Sequence, residues 1–204
     1  AGMVAKYAIE KWAKIPVDVE IASEFRYRDP IIDPSTLIIA ISQSGETMDT
    51  LMAVRHAKAA GGRVLAICNT NSSTIPRESD AVLYTHAGPE IAVASTKALL
   101  TQIIAVYLIG LHLGQVNGSL KDTEVRDLYK ELLELPGKIE QILETVEPLR
   151  ALTRTFAQNN TVLFLGRNIG YPVALEGALK LKELAYIHAE GFAGGELKHG
   201  PIAL

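Results

Sequence analysis

Cysteine is nearly absent from this chain, since Cys68 is the single example among 204 residues. One thiol cannot form a disulfide framework within the chain or supply a metal site built from several cysteines, so both classes are excluded. Cys68 lies in the apolar run 63–69, which predicts a buried thiol in the protein core.

Clusters of positive charge are also missing. The formal net charge is −3 and no run of lysine and arginine stands out, which argues against a nucleic-acid surface. The glycine-rich fingerprints of dinucleotide-binding and P-loop proteins are absent, which disfavours nicotinamide and ATP chemistry. No pair among the five histidines has metal-ligand spacing. We therefore expect neither a metal nor a cofactor.

Long hydrophobic runs are lacking as well. The longest predicted apolar helix, 99–113, is interrupted by polar residues and is too short to cross a bilayer comfortably, so it indicates a core helix. No basic, hydrophobic leader precedes Ala1, and we expect a cytoplasmic protein with no membrane partner. Ala1 itself suggests an excised or processed piece. The composition, 48% hydrophobic and 21% charged, is that of a globular protein able to bury a substantial core.

Short β-branched runs alternate with helical patterns through the first half of the chain. The predicted strands are 17–21, 37–41, 64–68 and 81–84, and the predicted helices are 3–14, 47–60 and one from Ser95 onward. This order predicts an α/β fold with a mostly parallel sheet and helices on both faces. Ligands of such folds bind beyond the carboxyl ends of the strands.

The second half begins with a different pattern. Residues 121–159 alternate charge with apolar residues and predict a helical connector with no chemistry of its own. A new strand at 161–165 and a helix from Pro172 to about Ile187 then repeat the strand–loop–helix unit. The predicted organisation is a first domain at 1–118, a connector at 119–159, and the start of a second, truncated domain at 160–204.

Hydroxyl side chains are concentrated in the loop Ser42–Thr47, which follows strand 37–41. A helix that begins there points unpaired N–H groups and its positive dipole end into the loop, and Gly45 lets the main chain approach an anion. The loop therefore predicts a phosphate site. The alternative is that its hydroxyls only cap the helix. Segment 88–97 follows strand 81–84 in a similar place, and it predicts either a second wall of the site or a capped turn.

One helix face in the second half carries three charges, namely Glu176, Lys180 and Glu183. Leucines flank this stripe, which favours a polar cleft where burial raises a carboxylate pKa toward the range of acid/base chemistry. An exposed ladder of ion pairs is the alternative. His199, in a glycine-rich stretch at 189–204 that predicts a loop, is the best acid/base candidate among the histidines; a histidine with no task is its alternative.

Taken together, several segments resemble the isomerase portion of the glucosamine-6-phosphate synthase family, which consists of sugar-isomerase (SIS) domains. The segments are 42–47, 66–69, 88–97, 175–183 and 195–201, and the resemblance covers essentially the whole chain. It implies a flavodoxin-like three-layer αβα sandwich with a parallel sheet, plus the start of a second domain of the same kind. The implied activity is that of an aminotransferase and ketose–aldose isomerase, which forms glucosamine 6-phosphate from fructose 6-phosphate and ammonia in hexosamine biosynthesis.

The resemblance also implies roles for single residues. The residues expected to bind the sugar phosphate are Ser42, Gln43, Ser44 and Thr47, and those expected to line the sugar are Val93 and Ser95. Glu183 is expected to move a proton between C1 and C2, with Lys180 at the C2 carbonyl or imine and Glu176 as support for Lys180. His199 resembles a histidine that opens the sugar ring from the neighbouring subunit, so a homodimer is implied.

Parts of the family pattern have no counterpart in these residues. They include the glutaminase part with its nucleophilic cysteine, for which Cys68 is no substitute, a strand and loop before the first helix, and a C-terminal tail with a catalytic lysine. We therefore expect a glutaminase domain of the parent chain to supply ammonia, and little turnover by the 204 residues alone. A non-catalytic sugar-phosphate-binding regulator of the same fold, or a structural domain without a ligand, are the alternatives.

Overall fold

The computed structural model describes residues 1–203, and its helices and strands alternate along the chain. The helices are α1 (Gly2–Ala13), α2 (Ala22–Arg28), α3 (Met48–Ala59), α4 (Thr74–Glu78), α5 (Lys97–Val116), α6 (Asp122–Leu133), α7 (Leu135–Leu143), α8 (Val146–Phe156) and α9 (Gly170–Ala185). The strands are β1 (Leu37–Ser42), β2 (Arg63–Cys68), β3 (Ala81–Tyr84), β4 (Thr161–Gly166) and β5 (His188–Ala193). Two short 3₁₀ helices follow at Gly194–Glu196 and Pro201–Ala203.

The chain divides into two compact units, Ala1–Leu113 and a second that begins at Gly114. The first unit contains a parallel sheet in the order β1-β2-β3. Its register pairs Ser42 with Cys68 and Cys68 with Tyr84, so the three strands end at the same level. The loops that follow them consequently leave from one edge of the sheet.

Two apolar clusters cover the two faces of this sheet. On one face, α1 and α5 pack against β-strand residues such as Ile39, Ile67 and Leu83. On the other face, α3 and α4 pack against Ala40, Val64 and their neighbours. Because successive strand residues point to opposite faces, the apolar runs of β1 and β2 supply both clusters. The predicted three-layer α/β sandwich is confirmed.

Helix α5 is longer than the sequence pattern indicates. It runs for 20 residues with a mean hydropathy of 1.6 in its most apolar window, so by length and composition it could cross a membrane. The expectation that this segment is too short is therefore wrong. Its packing is that of a core helix, because Ala105, Val106 and Ile109 lie in the cluster formed with α1.

One local assignment in the first unit is also wrong, and two helices were missed. Residues 17–21, predicted as a strand, form an extended segment outside any ladder, with Val19 42% and Ile21 71% exposed. Helices α2 and α4 were not anticipated, since α2 has too little apolar periodicity and α4 is only 5 residues long. Short elements of this kind are set by their neighbours more than by their own pattern.

The second unit holds the parallel pair β4-β5, with α9 packed against both strands. The predicted loop at 189–204 is wrong in its first part, because His188–Ala193 is the strand β5. Gly191 lies within this strand, where a Cβ atom would be 2.8 Å from Leu175 Cα on α9. Gly191 therefore allows α9 and β5 to approach closely, and it is not needed for an unusual backbone angle. The expected connector contains the helices α6, α7 and α8.

The first testable prediction concerns the core of the first unit. Ile67 is fully buried between α1 and α5, so Ile67→Ala is expected to lower the free energy of unfolding by about 2–5 kcal/mol. Ile31→Ala is the matched control, because Ile31 is 98% exposed and its truncation is expected to change stability by no more than about 0.5 kcal/mol. Urea denaturation of both variants tests this, and equal losses of stability would contradict the burial of Ile67 in this core.

Candidate functional site

The hydroxyl loop, residues 42–47, begins where β1 ends. Ser42 is 5% exposed, and its Oγ accepts a hydrogen bond of 3.1 Å from the Gly45 N–H. The Ser44 Oγ accepts one of 3.2 Å from the Glu46 N–H. A hydroxyl that accepts from the main chain still has its own O–H to donate. The turn therefore orients two hydroxyl groups as potential donors to an anion.

Gly45 sits at the centre of this loop, with a left-handed φ of +69°. A Cβ atom there would lie 2.7 Å from Cys68 Sγ and 2.8 Å from Ser73 Cβ, and closer still to Ser73 Oγ. Cys68 is fully buried, as its apolar context predicts, and it forms the floor under the loop. The main chain can lie this close to the floor only because residue 45 has no side chain.

Helix α3 begins directly after the loop, with Thr47 at the N-cap position. The Thr47 side chain makes no capping hydrogen bond, so this hydroxyl is not occupied by the helix end. The first N–H groups of α3 and its positive dipole end accordingly point toward the loop. These observations favour the anion-site interpretation of the hydroxyl loop over simple capping.

Neighbouring loops hold the hydroxyl loop in place. The Gln43 carbonyl accepts a hydrogen bond of 3.1 Å from the Asn69 N–H, and the Gly45 carbonyl accepts one of 2.9 Å from the Ile75 N–H. The Glu46 carboxylate accepts a hydrogen bond of 2.8 Å from the Thr74 N–H, and the hydrogen bonds from Thr74 lower the pKa of Glu46. The loop is thus tied to the chain segment that follows β2.

Val93 and Ser95 lie in the segment between β3 and α5, which leaves the same sheet edge as the hydroxyl loop. The loop after β2 lies between the two, since β2 is the central strand. Val93 is 91% exposed and Ser95 is half-buried. The Glu90 carboxylate closes the segment by accepting hydrogen bonds from Thr96 N, Thr96 Oγ1 and Ala98 N at 3.2, 2.7 and 3.0 Å.

The charged stripe on α9 forms one hydrogen-bonded cluster. Lys180 Nζ lies 2.6 Å from Glu183 Oε2 and 3.2 Å from Glu176 Oε1. Partial burial acts to lower the pKa of Lys180, but the hydrogen bonds and charges of Glu183 and Glu176 outweigh it and raise that pKa. Lys180 is therefore a stable ammonium group, able to donate hydrogen bonds to an oxygen or nitrogen atom nearby.

The surroundings of this cluster are more open than the sequence pattern indicates. All three charged side chains are between 23% and 33% exposed, whereas the flanking Leu179 and Leu184 are 41% and 57% exposed. The predicted cleft closed by leucines is therefore wrong for the second unit taken by itself. Leucine spacing on a helix shows which residues are apolar, but it cannot show what covers them.

His199 lies in a turn between the two 3₁₀ helices. Its Nδ1 is 2.8 Å from Glu196 Oε2, and both side chains are about 60% exposed. This contact orients the imidazole through Nδ1 and does not involve Nε2. Within residues 1–203, no group of three or more His, Cys, Asp and Glu side chains is arranged to hold a metal ion.

Two polar residues of the first unit were not assigned a task from the sequence. Asn69 and Glu90 each use their side chains to hold the segment after β3. Both lie in segments that carry the family resemblance, and Asn69 directly follows a strand, which was the available signal. Their partners are mostly main-chain groups, which no residue pattern reveals.

Residues 1–111 and 155–204 match the SIS domain family, and the chain belongs to this family. The resemblance inferred from the motifs is confirmed. Over its whole length the chain is 70% identical to glutamine–fructose-6-phosphate aminotransferase (isomerizing) of Streptomyces coelicolor and 65% identical to the protein of the same name from Mycobacterium tuberculosis. It spans about a third of the length of these relatives, 33% in both cases.

A solved structure gives the same assignment. The C-terminal domain of glucosamine-fructose-6-phosphate aminotransferase from Francisella tularensis is 45% identical and superimposes with a TM-score of 0.96. The match covers 99% of this chain and 57% of that one. Glucosamine-6-phosphate deaminase of Thermotoga maritima, at 22% identity and a TM-score of 0.77, shares the fold.

The second testable prediction concerns Gly45. In Gly45→Ala the new methyl group would collide with Cys68 and Ser73, so we expect a lower melting temperature and loss of anion binding by the loop. Gly61→Ala is the control, because Gly61 also has a positive φ but has open space around it. Thermal melts and phosphate titration compare the two. Equal effects would show that backbone strain alone matters at residue 45.

The third prediction concerns the loss of thermal stability at low pH. Hydrogen bonds from Thr96 and Ala98 lower the pKa of Glu90 from its ordinary 4.5, so their stabilising contribution is present above 4.5 and is lost as pH falls through the lower, folded-state value. The melting temperature of Glu90→Gln is therefore expected to fall less steeply than that of the wild type below pH 4.5. Glu140→Gln, an exposed change on α7, is the control and is expected to follow the wild type.

Proposed function

We propose that this chain is the isomerase part of an enzyme that converts fructose 6-phosphate and glutamine-derived ammonia to glucosamine 6-phosphate. Support comes from the SIS family and from 70% identity to a relative that carries this name. The observation that carries the proposal is the cluster of two carboxylates on one lysine, Glu176–Lys180–Glu183. A protein that only binds a sugar phosphate has no use for such a proton-moving group.

In this proposal the hydroxyl loop binds the phosphate of the sugar. The binding groups are the hydroxyls of Ser42, Ser44 and Thr47, the Gln43 side chain and the first N–H groups of α3. Val93 and Ser95 then line the sugar. A phosphate fixed at one end positions the far end of an open-chain sugar, which turns proton transfer into an oriented step.

The cluster on α9 supplies the chemistry. Glu183 removes a proton from C1 of the ketose or its C2 imine and returns it to C2. A second proton passes from the C1 hydroxyl to the oxygen or nitrogen on C2, so that the double bond leaves C2 and a carbonyl forms at C1. Lys180 donates a hydrogen bond to the oxygen or nitrogen on C2, and its raised pKa keeps it in the ammonium form that this task needs. Glu176 holds Lys180 from the other side at 3.2 Å.

Partners and location belong to the same proposal. His199 opens the sugar ring, acting from the neighbouring subunit of a homodimer. A glutaminase domain of the parent chain supplies ammonia, which is in keeping with relatives about three times as long as this chain. We place the enzyme in the cytoplasm.

The fourth prediction tests Glu183 in a polypeptide of the relatives' full length. Glu183→Gln keeps the size of the side chain but cannot accept the proton, so fructose 6-phosphate should bind as in the wild type while proton exchange at C1 slows by about 10²- to 10⁴-fold. Calorimetry measures binding, and NMR in D₂O measures exchange.

Glu131→Gln, a change on the exposed surface of α6, is the control and should leave both measurements unchanged. Undiminished exchange in Glu183→Gln would rule out the assigned role. Binding without any exchange in the wild type would instead identify a sugar-phosphate-binding regulator, and absence of binding would leave only a structural domain.

A further inference from the structure

Asn69 connects the two loops that the proposed function assigns to the substrate. It directly follows β2, the central strand, so it lies between the hydroxyl loop and the segment after β3. Its main-chain N–H donates to the Gln43 carbonyl of the hydroxyl loop at 3.1 Å. Its side chain turns the other way, toward residues 85–88.

The Asn69 amide makes three hydrogen bonds there. Oδ1 accepts from Ala87 N at 2.8 Å and from Thr85 Oγ1 at 3.1 Å, while Nδ2 donates to the Gly88 carbonyl at 2.8 Å. A short side chain that accepts two hydrogen bonds and donates one in this geometry must be an amide. A carboxylate has no hydrogen to offer Gly88, and an alkyl group offers nothing.

The turn that receives these bonds has an unusual backbone. His86 has a φ of +53° and Gly88 a φ of +68°, so one left-handed residue lies on each side of Ala87. A non-glycine residue in this region costs free energy and persists where its surroundings over-determine it. The hydrogen bonds from Asn69 stabilise this backbone conformation, since they hold both Ala87 and Gly88.

The far end of the segment is fixed separately. Glu90 binds Thr96 and Ala98 at the start of α5, and between these anchors Ile91 and Val93 are more than 90% exposed. The position of the exposed part relative to the hydroxyl loop is thus set at one end by Asn69 and at the other by Glu90. Of these two residues, Asn69 is the one that also contacts the hydroxyl loop.

We propose that Asn69 is a positioning residue, which sets the segment after β3 against the hydroxyl loop so that a sugar whose phosphate is bound by the loop meets Val93 and Ser95. This inference rests on the proposed function. The proposed role is to set the distance between the hydroxyl loop and the residues that line the sugar. Asn69 takes no part in the chemistry and does not touch the ligand.

The test compares two ligands on Asn69→Ala in a polypeptide of the relatives' full length. Inorganic phosphate reports on the hydroxyl loop alone, and its affinity should change less than twofold, because the Asn69 N–H that holds Gln43 belongs to the main chain. Fructose 6-phosphate also needs the segment after β3, and its affinity should fall at least about tenfold with the loss of three hydrogen bonds.

Thr85→Val gives a second test if Asn69→Ala does not fold, because it removes one of the three bonds and leaves Asn69 in place. It should weaken fructose 6-phosphate binding slightly, by about twofold to fivefold, and leave phosphate binding unchanged. Hydrogen exchange adds a readout without ligand: amides of 85–88 should exchange faster in Asn69→Ala, whereas those of 43–47 and of Thr96, which Glu90 holds, should not.

The outcomes separate the two proposals. If the wild type binds fructose 6-phosphate and Asn69→Ala loses both ligands equally, or loses neither, the positioning role is overturned while the proposed function stands. If the wild type binds no sugar phosphate, the proposed function fails, and the positioning role fails with it. A selective loss of fructose 6-phosphate supports both.

Discussion

The close contact between Gly45 and the floor formed by Cys68 and Ser73 is the constraint on which the candidate site depends. It lowers the hydroxyl loop onto the end of β2, which turns Ser42 Oγ toward the Gly45 N–H and brings the loop to the start of α3. The parallel register then aligns the exits of the three strands. Sheet packing and loop geometry therefore depend on each other, because Cys68 at the end of β2 is a buried core residue and also lies against Gly45.

The second unit shows a different principle, since its chemistry comes from one helix. Residues spaced by three and four positions place Glu176 and Glu183 on either side of Lys180 without help from a loop. The approach of α9 to its sheet needs small residues on both sides, Gly177 opposite Phe164 and Gly191 opposite Leu175. A rigid helix seated on a sheet is a suitable carrier for groups whose separation must not vary.

Much of this arrangement was predictable, and the reasons for the misses are physical. Strands β1, β2 and β3 were found because continuous apolar runs between polar turns leave few alternatives, and the stripe on α9 was found because helical spacing is regular. The segment 17–21 has β-branched residues but no partner strand, and β5 was hidden by glycines that serve packing. The exposure of Leu179 and Leu184 and the contacts of Asn69 depend on distant residues, so no local pattern contains them.

The crowding around Gly45 has a consequence for variation among related chains. Every other amino acid carries a Cβ atom, so every amino-acid replacement at position 45 places an atom against Cys68 and Ser73, whatever the polarity or charge of the new side chain. Gly61 shares the backbone requirement but not the crowding, and there a replacement meets only conformational strain. Substitution of the glycine in the turn before β2 therefore meets one obstacle, whereas substitution of Gly45 in the hydroxyl loop meets two.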